Sequence, residues 1–251
     1  MIKTPSRTVL FAGDTHFHLV PDEGGQLRRE RFIEFLKAAQ AADDLVLLGD
    51  IFDFWFDFPH FKLRGYEDIL QALDRLIDSG TTLHFVGGNH DVWAARYFHE
   101  RYGTSKDGES STLELDGQRV RLLHGDGLLV RDWIYGSFRK LVRNPFGIFL
   151  AKSLHPELLY HFCCWLSGTS RKASRDESAI IVQRAEQYLA QPGHDWDLLL
   201  IGHVHHAFVI ENEGRRMAAL GSWFEEESYG LWQNGTFSLH DFRDGLSLSS
   251  E

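Results

Sequence analysis

Short apolar runs alternate with helical patterns along most of the chain. Five runs end at polar turns and are too short for helices, as is typical of buried strands: 8–12, 45–48, 82–86, 120–123 and 198–201. Residues 28–41 and 66–79 instead carry apolar side chains at helical spacing, and Gly80 is a natural helix end. The alternation of strands and helices predicts an α/β sheet.

Two turn dipeptides predict hairpins later in the chain. Asp116-Gly117 separates the apolar runs 112–115 and 120–123, and Asn234-Gly235 separates 229–232 from 236–241. Hairpins join antiparallel strands, whereas the strand-helix alternation indicates parallel ones. We therefore expect mixed sheets rather than a purely parallel one.

Residues 131–189 lack strand patterns and are interpreted as several helices broken at Asn144-Pro145, His155-Pro156 and Ser167-Gly168. The predicted division is a core of residues 1–130 and 190–245, an inserted helical cap of residues 131–189, and a tail of residues 246–251. Residues 131–184 hold nine Lys or Arg against four Asp or Glu, in a chain whose net charge is -10. This asymmetry suggests a cap that meets anions.

Composition narrows the function classes. The chain has 43% apolar and 25% charged residues, which is ordinary for a globular protein. Its acidic balance argues against a protein that tracks a nucleic-acid backbone. The N-terminal residues contain no signal-peptide apolar region, and no run approaches the roughly 20 apolar residues of a membrane span. We therefore expect a cytoplasmic protein without a nucleic-acid partner.

Large apolar side chains are frequent in the predicted cap, among them Trp133, Phe146, Phe149, Leu158 and Leu159. They could be the inner faces of packed helices, or they could form a surface that binds acyl chains or touches a membrane. The sequence leaves both interpretations open.

Five segments at predicted strand ends carry oxygen and imidazole ligands for metals. In an open α/β sheet such loops converge where the strands end, so their side chains should share one site. Carboxylate, imidazole and amide ligands suit Mn, Fe, Zn or Mg, and the absence of cysteine from these five segments excludes a thiolate zinc site there. The ligand candidates are Asp14, His16, Asp50, Asn89, His124, His203 and His205.

The order of these segments, D-x-H, G-D-x-x-D, G-N-H-D, H and G-H-x-H, resembles the calcineurin-like metallophosphoesterase superfamily. The resemblance implies a double β-sheet sandwich flanked by helices, with two divalent metal ions that clamp a phosphoryl oxygen and activate water. It assigns one ion to Asp14, His16 and His205. It assigns the other to Asn89, His124 and His203, and it makes Asp50 the bridging ligand.

Two further positions match motif residues of the superfamily. His90 corresponds to a histidine that stabilises the phosphoryl oxygens or protonates the leaving oxygen. Asp53 corresponds to the carboxylate that orients this histidine. The resemblance therefore implies a catalytic His90-Asp53 dyad.

The flanking segments LLGDIFDFWFDF, GNHDVW, LLHGDGL, RNPF, LHPELL, LGSW and SYG resemble the UDP-2,3-diacylglucosamine diphosphatase (hydrolase) family of lipid A biosynthesis. The resemblance implies manganese-dependent hydrolysis of the pyrophosphate to UMP and 2,3-diacylglucosamine 1-phosphate. It also implies peripheral contact with the cytoplasmic face of the inner membrane. The best-known branch has arginine at position 90, threonine at position 204 and Gly-Asp-Trp at positions 221–223.

The charge excess and the broken-helix context of the cap, together with the core motif G-N-H-D, suggest which residues contact the phosphate or sugar. The candidates are Asn89, His90, Arg143, Asn144, Arg171, Lys172 and Arg175.

One alternative function is a phosphoesterase that acts on a nucleotide or a small phosphodiester without an acyl pocket. Another, from a different class, is a binding protein that keeps the fold without catalysis. A nuclease is a third, which the acidic core opposes.

Overall fold

The computed structural model describes residues 7–56, 63–106, 108–129, 178–246 and 248, and between them 144, 147, 149, 151, 153–161 and 163. The strands of the described residues are β1 Val9–Ala12, β2 Asp44–Leu47, β3 Thr82–Phe85, β4 Ser110–Leu115, β5 Gln118–Leu123, β6 Leu198–Ile201, β7 Phe208–Asn212, β8 Arg215–Ala219, β9 Ser228–Gln233 and β10 Thr236–Asp241. Their helices are α1 Glu23–Ala38, α2 Glu67–Asp78, α3 Ala94–Tyr102, α4 Ser178–Leu189 and α5 Trp223–Glu226.

The strands form two mixed five-stranded sheets, as the hairpin signals predict. The first has the order β10-β9-β1-β2-β3, in which β1, β2 and β3 are parallel and β9 is antiparallel to β1. The second has the order β4-β5-β6-β8-β7, in which β5, β6 and β8 are parallel and the outer strands are antiparallel to their neighbours. The predicted class, an α/β double sandwich flanked by helices, is confirmed.

Alternate residues of each central strand face opposite apolar layers. Val9 and Phe11 of β1 belong to the core between the sheets, together with residues of the second sheet such as Leu122 and Leu200. Leu10 faces the other way, into the layer beneath α1, α2 and α3. Since side chains alternate along a strand, a strand buried on both faces is largely apolar throughout, which explains the runs of β1, β2 and β6.

The two predicted helices are confirmed, and the largest boundary shift is at the start of α1. Helix α2 differs from the prediction by one residue at each end, whereas α1 begins five residues earlier than the predicted start at 28. Asp22 caps α1, because its carboxylate accepts a hydrogen bond from the Gly25 amide at 2.7 Å. The first turn contains Gly24 and Gly25, so it lacks the spaced apolar side chains from which the start of the helix could be predicted.

The hairpin of β7 and β8 and the helix α3 are not among the predicted elements. The hairpin turns at Glu213 and Gly214, which both have positive φ, 49° and 78°. The β7 strand alternates between half-buried and exposed residues at the edge of the sheet, so it lacks the continuous apolar run of an inner strand.

Helix α4 lies within the segment that the sequence assigns to the cap. Its residues Ile181, Ala185 and Leu189 are buried against the outer face of the second sheet, beside Leu199 and Met217. The division into core and cap stays a prediction, and this packing favours a cap that ends before Ser178. Several described positions between 147 and 163 are also helical.

Among the described residues, no helix combines the length and the apolar character that a membrane crossing requires.

Candidate metal site

The loops that follow β1, β2, β3, β5 and β6 bring the predicted ligands together at one end of the sandwich. These strands are parallel within each sheet, so their carboxyl ends point to the same edge. The loop after β1 continues beside the loop after β2, because the His16 and Phe17 amides donate to the Asp50 and Ile51 carbonyls at 2.9 and 3.0 Å. The short strands thus extend as paired backbone into the site.

Four of the predicted ligands lie in the left-handed backbone region. The φ angles of Asp14, His16, Asp50 and His203 are 50°, 45°, 50° and 63°. This conformation costs a non-glycine residue about 1 kcal/mol or more, and it persists where the surrounding structure requires it. The concentration of such residues in the loops after β1, β2 and β6 is typical of a functional site.

The first cluster of ligand atoms consists of Asp14, His16 and His205. Their ligand atoms all lie within 4.8 Å of one another. Asp14 Oδ1 is 3.9 Å from His16 Nε2 and 3.7 Å from His205 Nε2. These are the three residues that the superfamily resemblance assigns to one ion.

The second cluster consists of Asp50, His124 and His203, whose ligand atoms also lie within 4.8 Å of one another. Asn89 joins it, because its Oδ1 is 3.1 Å from both His124 Nε2 and His203 Nδ1. Asp50 Oδ2 is 3.3 Å from His124 Nε2 and 3.9 Å from His16 Nε2. Asp50 therefore lies between the two clusters, where a bridging ligand is expected.

The residues present fit a divalent cation. His16 is buried, and the carboxylate oxygens around its ring nitrogens, at 3.6 to 3.9 Å, lie beyond ordinary hydrogen-bond distance. An unsatisfied buried imidazole is costly, and coordination of a metal by one nitrogen removes that cost. The ligands combine carboxylate, imidazole and amide groups, a set that suits first-row divalent metals.

The electrostatics of the clusters also favour a cation. Burial by itself lowers the pKa of His124, but the carboxylates of Asp50 and Asp14 outweigh this effect and raise that pKa to about 10. Burial and the charge of His124 lower the pKa of His203 to about 3. The buried carboxylates thus stabilise positive charge among the ligands, and a bound metal ion would supply such charge.

Other groups fix the ligands in place, and the sequence analysis did not identify them. His124 Nδ1 donates a hydrogen bond to the Leu48 carbonyl at 2.8 Å, which leaves Nε2 facing Asp50 and Asn89. Ser222 Oγ and the Phe224 amide donate to the Asp14 carbonyl at 3.4 and 3.3 Å. The carbonyl of Leu48 gives no sequence signal, whereas Ser222 lies in the quoted LGSW segment.

The structure brings His90 and Asp53 together, with two more imidazoles beside them. His90 Nδ1 lies 3.1 Å from the Asp53 carbonyl oxygen and 3.5 Å from the carboxylate Oδ1. That Oδ1 is also 3.6 Å from His16 Nδ1, and Oδ2 is 3.2 Å from His18 Nδ1. Asp53 thus faces three histidines, and its role as the partner of His90 alone stays a hypothesis.

The predicted cap contacts fall mostly outside the described residues. Arg143, Arg171, Lys172 and Arg175 lie there, whereas Asn144 is described and exposed.

The fold and the site define a metal-dependent hydrolase of phosphate esters or anhydrides. The sequence profile of the calcineurin-like phosphoesterases matches residues 7–207, which is most of the chain. The chain belongs to the calcineurin-like phosphoesterase family.

The chain is also similar to curated UDP-2,3-diacylglucosamine hydrolases of several bacteria. The enzyme of Aeromonas hydrophila is 32% identical over 207 residues, which are 78% of this chain and 84% of that protein. The enzyme of Pseudomonas putida is 30% identical over 222 residues, or 86% of this chain and 90% of that protein. The enzyme of Porphyromonas gingivalis is 27% identical over 225 residues, or 81% and 85%.

Proposed function

We propose that this chain hydrolyses the pyrophosphate bond of UDP-2,3-diacylglucosamine and releases UMP and 2,3-diacylglucosamine 1-phosphate. The observation that carries the proposal is the similarity to UDP-2,3-diacylglucosamine hydrolases over 78% to 86% of the chain, together with the two ligand clusters around Asp50. A phosphoesterase of nucleotides or small phosphodiesters is the competing function, and it would use the same metal site.

The proposed cofactor is a pair of divalent metal ions, and the ion proposed for use in the cell is manganese. Asp14, His16 and His205 would hold one ion, and Asn89, His124 and His203 the other, with Asp50 between them. Bound ions of this kind polarise a phosphoryl oxygen and lower the pKa of water, so that hydroxide is available at neutral pH. The protein fixes the geometry of the ligands through backbone contacts of the loops.

His90 is proposed to stabilise the charge that develops on the phosphoryl oxygens. Its Nδ1 faces the Asp53 carbonyl at 3.1 Å, so a proton on Nδ1 is held there and Nε2 is directed away from Asp53. Nε2 lies 3.9 Å from Asp50 Oδ2, at the border of the metal clusters. The leaving group is a phosphate whose second pKa is about 6, so it needs little protonation, and charge stabilisation matters more than acid catalysis.

The cap is proposed to bind the lipid part of the substrate. Leu159 of the predicted cap is buried against Phe54 and Phe56, which lie one and three residues after Asp53, so this part of the chain lies beside the loop that carries Asp53. Asn144 and four basic cap residues would contact the diphosphate or the sugar. The basic residues are Arg143, Arg171, Lys172 and Arg175. These residues and the domain division stay proposals.

A peripheral location on the cytoplasmic face of the inner membrane is proposed as well. The substrate is lipid-linked, and the cap carries both basic residues and exposed apolar groups. Phe149 and Leu158 are 66% and 64% exposed.

The experiment that tests the proposal is manganese-dependent release of UMP from UDP-2,3-diacylglucosamine by the wild type and Asp50→Ala. We expect release by the wild type and a loss of about 100-fold or more in the variant, since the ligand proposed to bridge the two ions is removed. Asp44→Ala is the matched control, because Asp44 is also a buried aspartate but lies at the start of β2, at the opposite end from the loop that carries Asp50.

Two outcomes separate the candidate functions. Absence of UMP release by the wild type, alongside metal-dependent hydrolysis of a small phosphodiester, would favour the competing phosphoesterase. Equal loss in Asp50→Ala and Asp44→Ala would trace the effect to destabilisation rather than to metal binding.

A further inference from the structure

Asp91 is a fully buried carboxylate that contacts the loops after β2 and β3. Its Oδ1 accepts hydrogen bonds from the Asp50 amide at 3.1 Å and the Gly88 amide at 2.8 Å. Its Oδ2 accepts from the Ile51 amide at 2.8 Å and the Phe52 amide at 3.3 Å. One side chain thus binds four backbone N–H groups from two loops.

Three of these donors are consecutive in the chain. Consecutive N–H groups converge when the backbone changes between left-handed and right-handed conformations, and the concavity that they form binds anions. Asp50 contributes a left-handed φ of 50° to this segment. The anion here is the protein's own Asp91 carboxylate, which stabilises Asp50 in this otherwise unfavourable conformation.

The loop after β3 also donates a hydrogen bond to the loop after β2. The His90 amide donates to Asp50 Oδ1 at 2.9 Å. The other carboxylate oxygen, Oδ2, is then the one that faces the imidazoles of His124 and His16, at 3.3 and 3.9 Å. The backbone of residue 50 is held by the side chain of residue 91, and the side chain of residue 50 by the backbone of residue 90.

We propose that Asp91 is a positioning residue of the metal site, which fixes the backbone of Asp50 and the orientation of its carboxylate between the two ligand clusters. Asp91 does not itself enter either cluster. Asp91 acts through Asp50. Its loss should therefore weaken metal affinity and leave the contacts with substrate largely unchanged when metal is bound.

The competing interpretation is that Asp91 only stabilises two buried loops. Asp44 provides the control for that role. It is also an almost fully buried aspartate, and it pairs with Arg7 at 2.6 Å and with His84 at 2.8 Å. It belongs to β2, the strand that leads to Asp50, but it lies at the far end of that strand.

The test compares manganese binding by the wild type, Asp91→Asn and Asp44→Asn. Asparagine keeps one acceptor oxygen at position 91 and turns an NH2 group toward two backbone donors, so the Asp50 loop should move. Manganese affinity is measured by titration with electron paramagnetic resonance of the free ion, and stoichiometry by atomic spectroscopy. We expect an affinity about 10- to 100-fold weaker in Asp91→Asn and unchanged in Asp44→Asn.

The kinetic readout separates the two roles further. In Asp91→Asn the manganese concentration for half-maximal activity should rise, while the KM for substrate stays near the wild-type value at saturating manganese. Wild-type manganese affinity in a folded Asp91→Asn would overturn the proposal. If that variant does not fold, Asp91→Glu, which keeps the charge and both oxygens but displaces them by one methylene, is titrated instead, and unchanged affinity overturns the proposal equally.

The inference rests on the proposed role of Asp50 as a metal ligand, so Asp50→Ala is titrated in parallel. Wild-type binding by Asp50→Ala would contradict the proposed metal site itself. Weakened binding by Asp50→Ala together with wild-type binding by Asp91→Asn, or by Asp91→Glu where that variant replaces it, would contradict only the positioning role of Asp91.

Discussion

At the scale of single residues, the candidate site depends on close backbone approach as much as on its ligands. Gly88 lies against Asp50, and its amide donates to Asp91. A Cβ atom at position 88 would overlap the carboxylate and the amide of Asp50. The glycine of the GNHD segment is thus required by the position of the ligand opposite it rather than by an unusual φ.

We therefore expect Gly88→Ala to displace Asp50 and to lower the activity by about 100-fold, since a shift of about 1 Å in a catalytic group can have that effect. Gly13→Ala is the control, because the nearest atoms to its Cβ would lie at an ordinary 3.5 Å although Gly13 precedes Asp14. Phosphoesterase activity and manganese affinity of both variants check the prediction. Equal activity of the two variants would show that the Asp50 loop can move without loss.

At the scale of elements, helix α1 shows how the first turn decides a boundary. Asp22 caps the helix through the Gly25 amide, and the helix then presents Phe32, Phe35 and Leu36 to the core. Gly24 and Gly25 stand in adjacent positions of this turn but have different surroundings. A Cβ at Gly24 would meet nothing closer than 3.5 Å, whereas one at Gly25 would lie 3.0 Å from both Asp22 Oδ1 and Pro21 Cβ.

Gly24→Ala should accordingly raise the free energy of unfolding by about 0.5 kcal/mol, because alanine restricts the unfolded chain and favours the helix. Gly25→Ala should give no gain or a loss, because its new methyl group disturbs the capping aspartate. Urea unfolding of both variants measures the difference. A gain of equal size in Gly25→Ala would mean that Asp22 adjusts to the new methyl group without loss of its capping hydrogen bond.

At the scale of the whole molecule, two sheets share one apolar layer and carry helices on their outer faces. Leu122 of β5 and Leu200 of β6 meet Val9, Phe11 and Val46 of the first sheet in this layer. The shared layer fixes the two sheets relative to each other. It thereby places the loop of His124 opposite the loops of Asp50 and Asn89.

Leu122→Ala should lower the free energy of unfolding by about 2–5 kcal/mol, since it leaves a cavity in the shared layer. Val209→Ala is the control on the edge strand β7, where the side chain is 46% exposed and the loss should stay below about 1 kcal/mol. Chemical denaturation reports both values. Similar losses in the free energy of unfolding at the two positions would contradict the view that the shared layer contributes most of the stability.

The sequence by itself determined the strands β1, β2, β3, β5 and β6, the helices α1 and α2, the hairpins at Asp116-Gly117 and Asn234-Gly235, and the set of ligand candidates. Continuous apolar runs, helical spacing and ligand motifs are local properties, so they can be recognised without coordinates. The β7–β8 hairpin and the start of α1 were missed because an edge strand and a glycine-containing first turn lack such a local pattern.

Only the tertiary structure decided which atoms meet. The position of Asp50 between the two ligand clusters, the three histidines around Asp53 and the four amides on Asp91 all join loops that are distant in the chain. These contacts follow from the packing of two sheets and the parallel order of their central strands. A carboxylate in a sequence shows neither its burial nor its partners, because both depend on what the rest of the chain places around it.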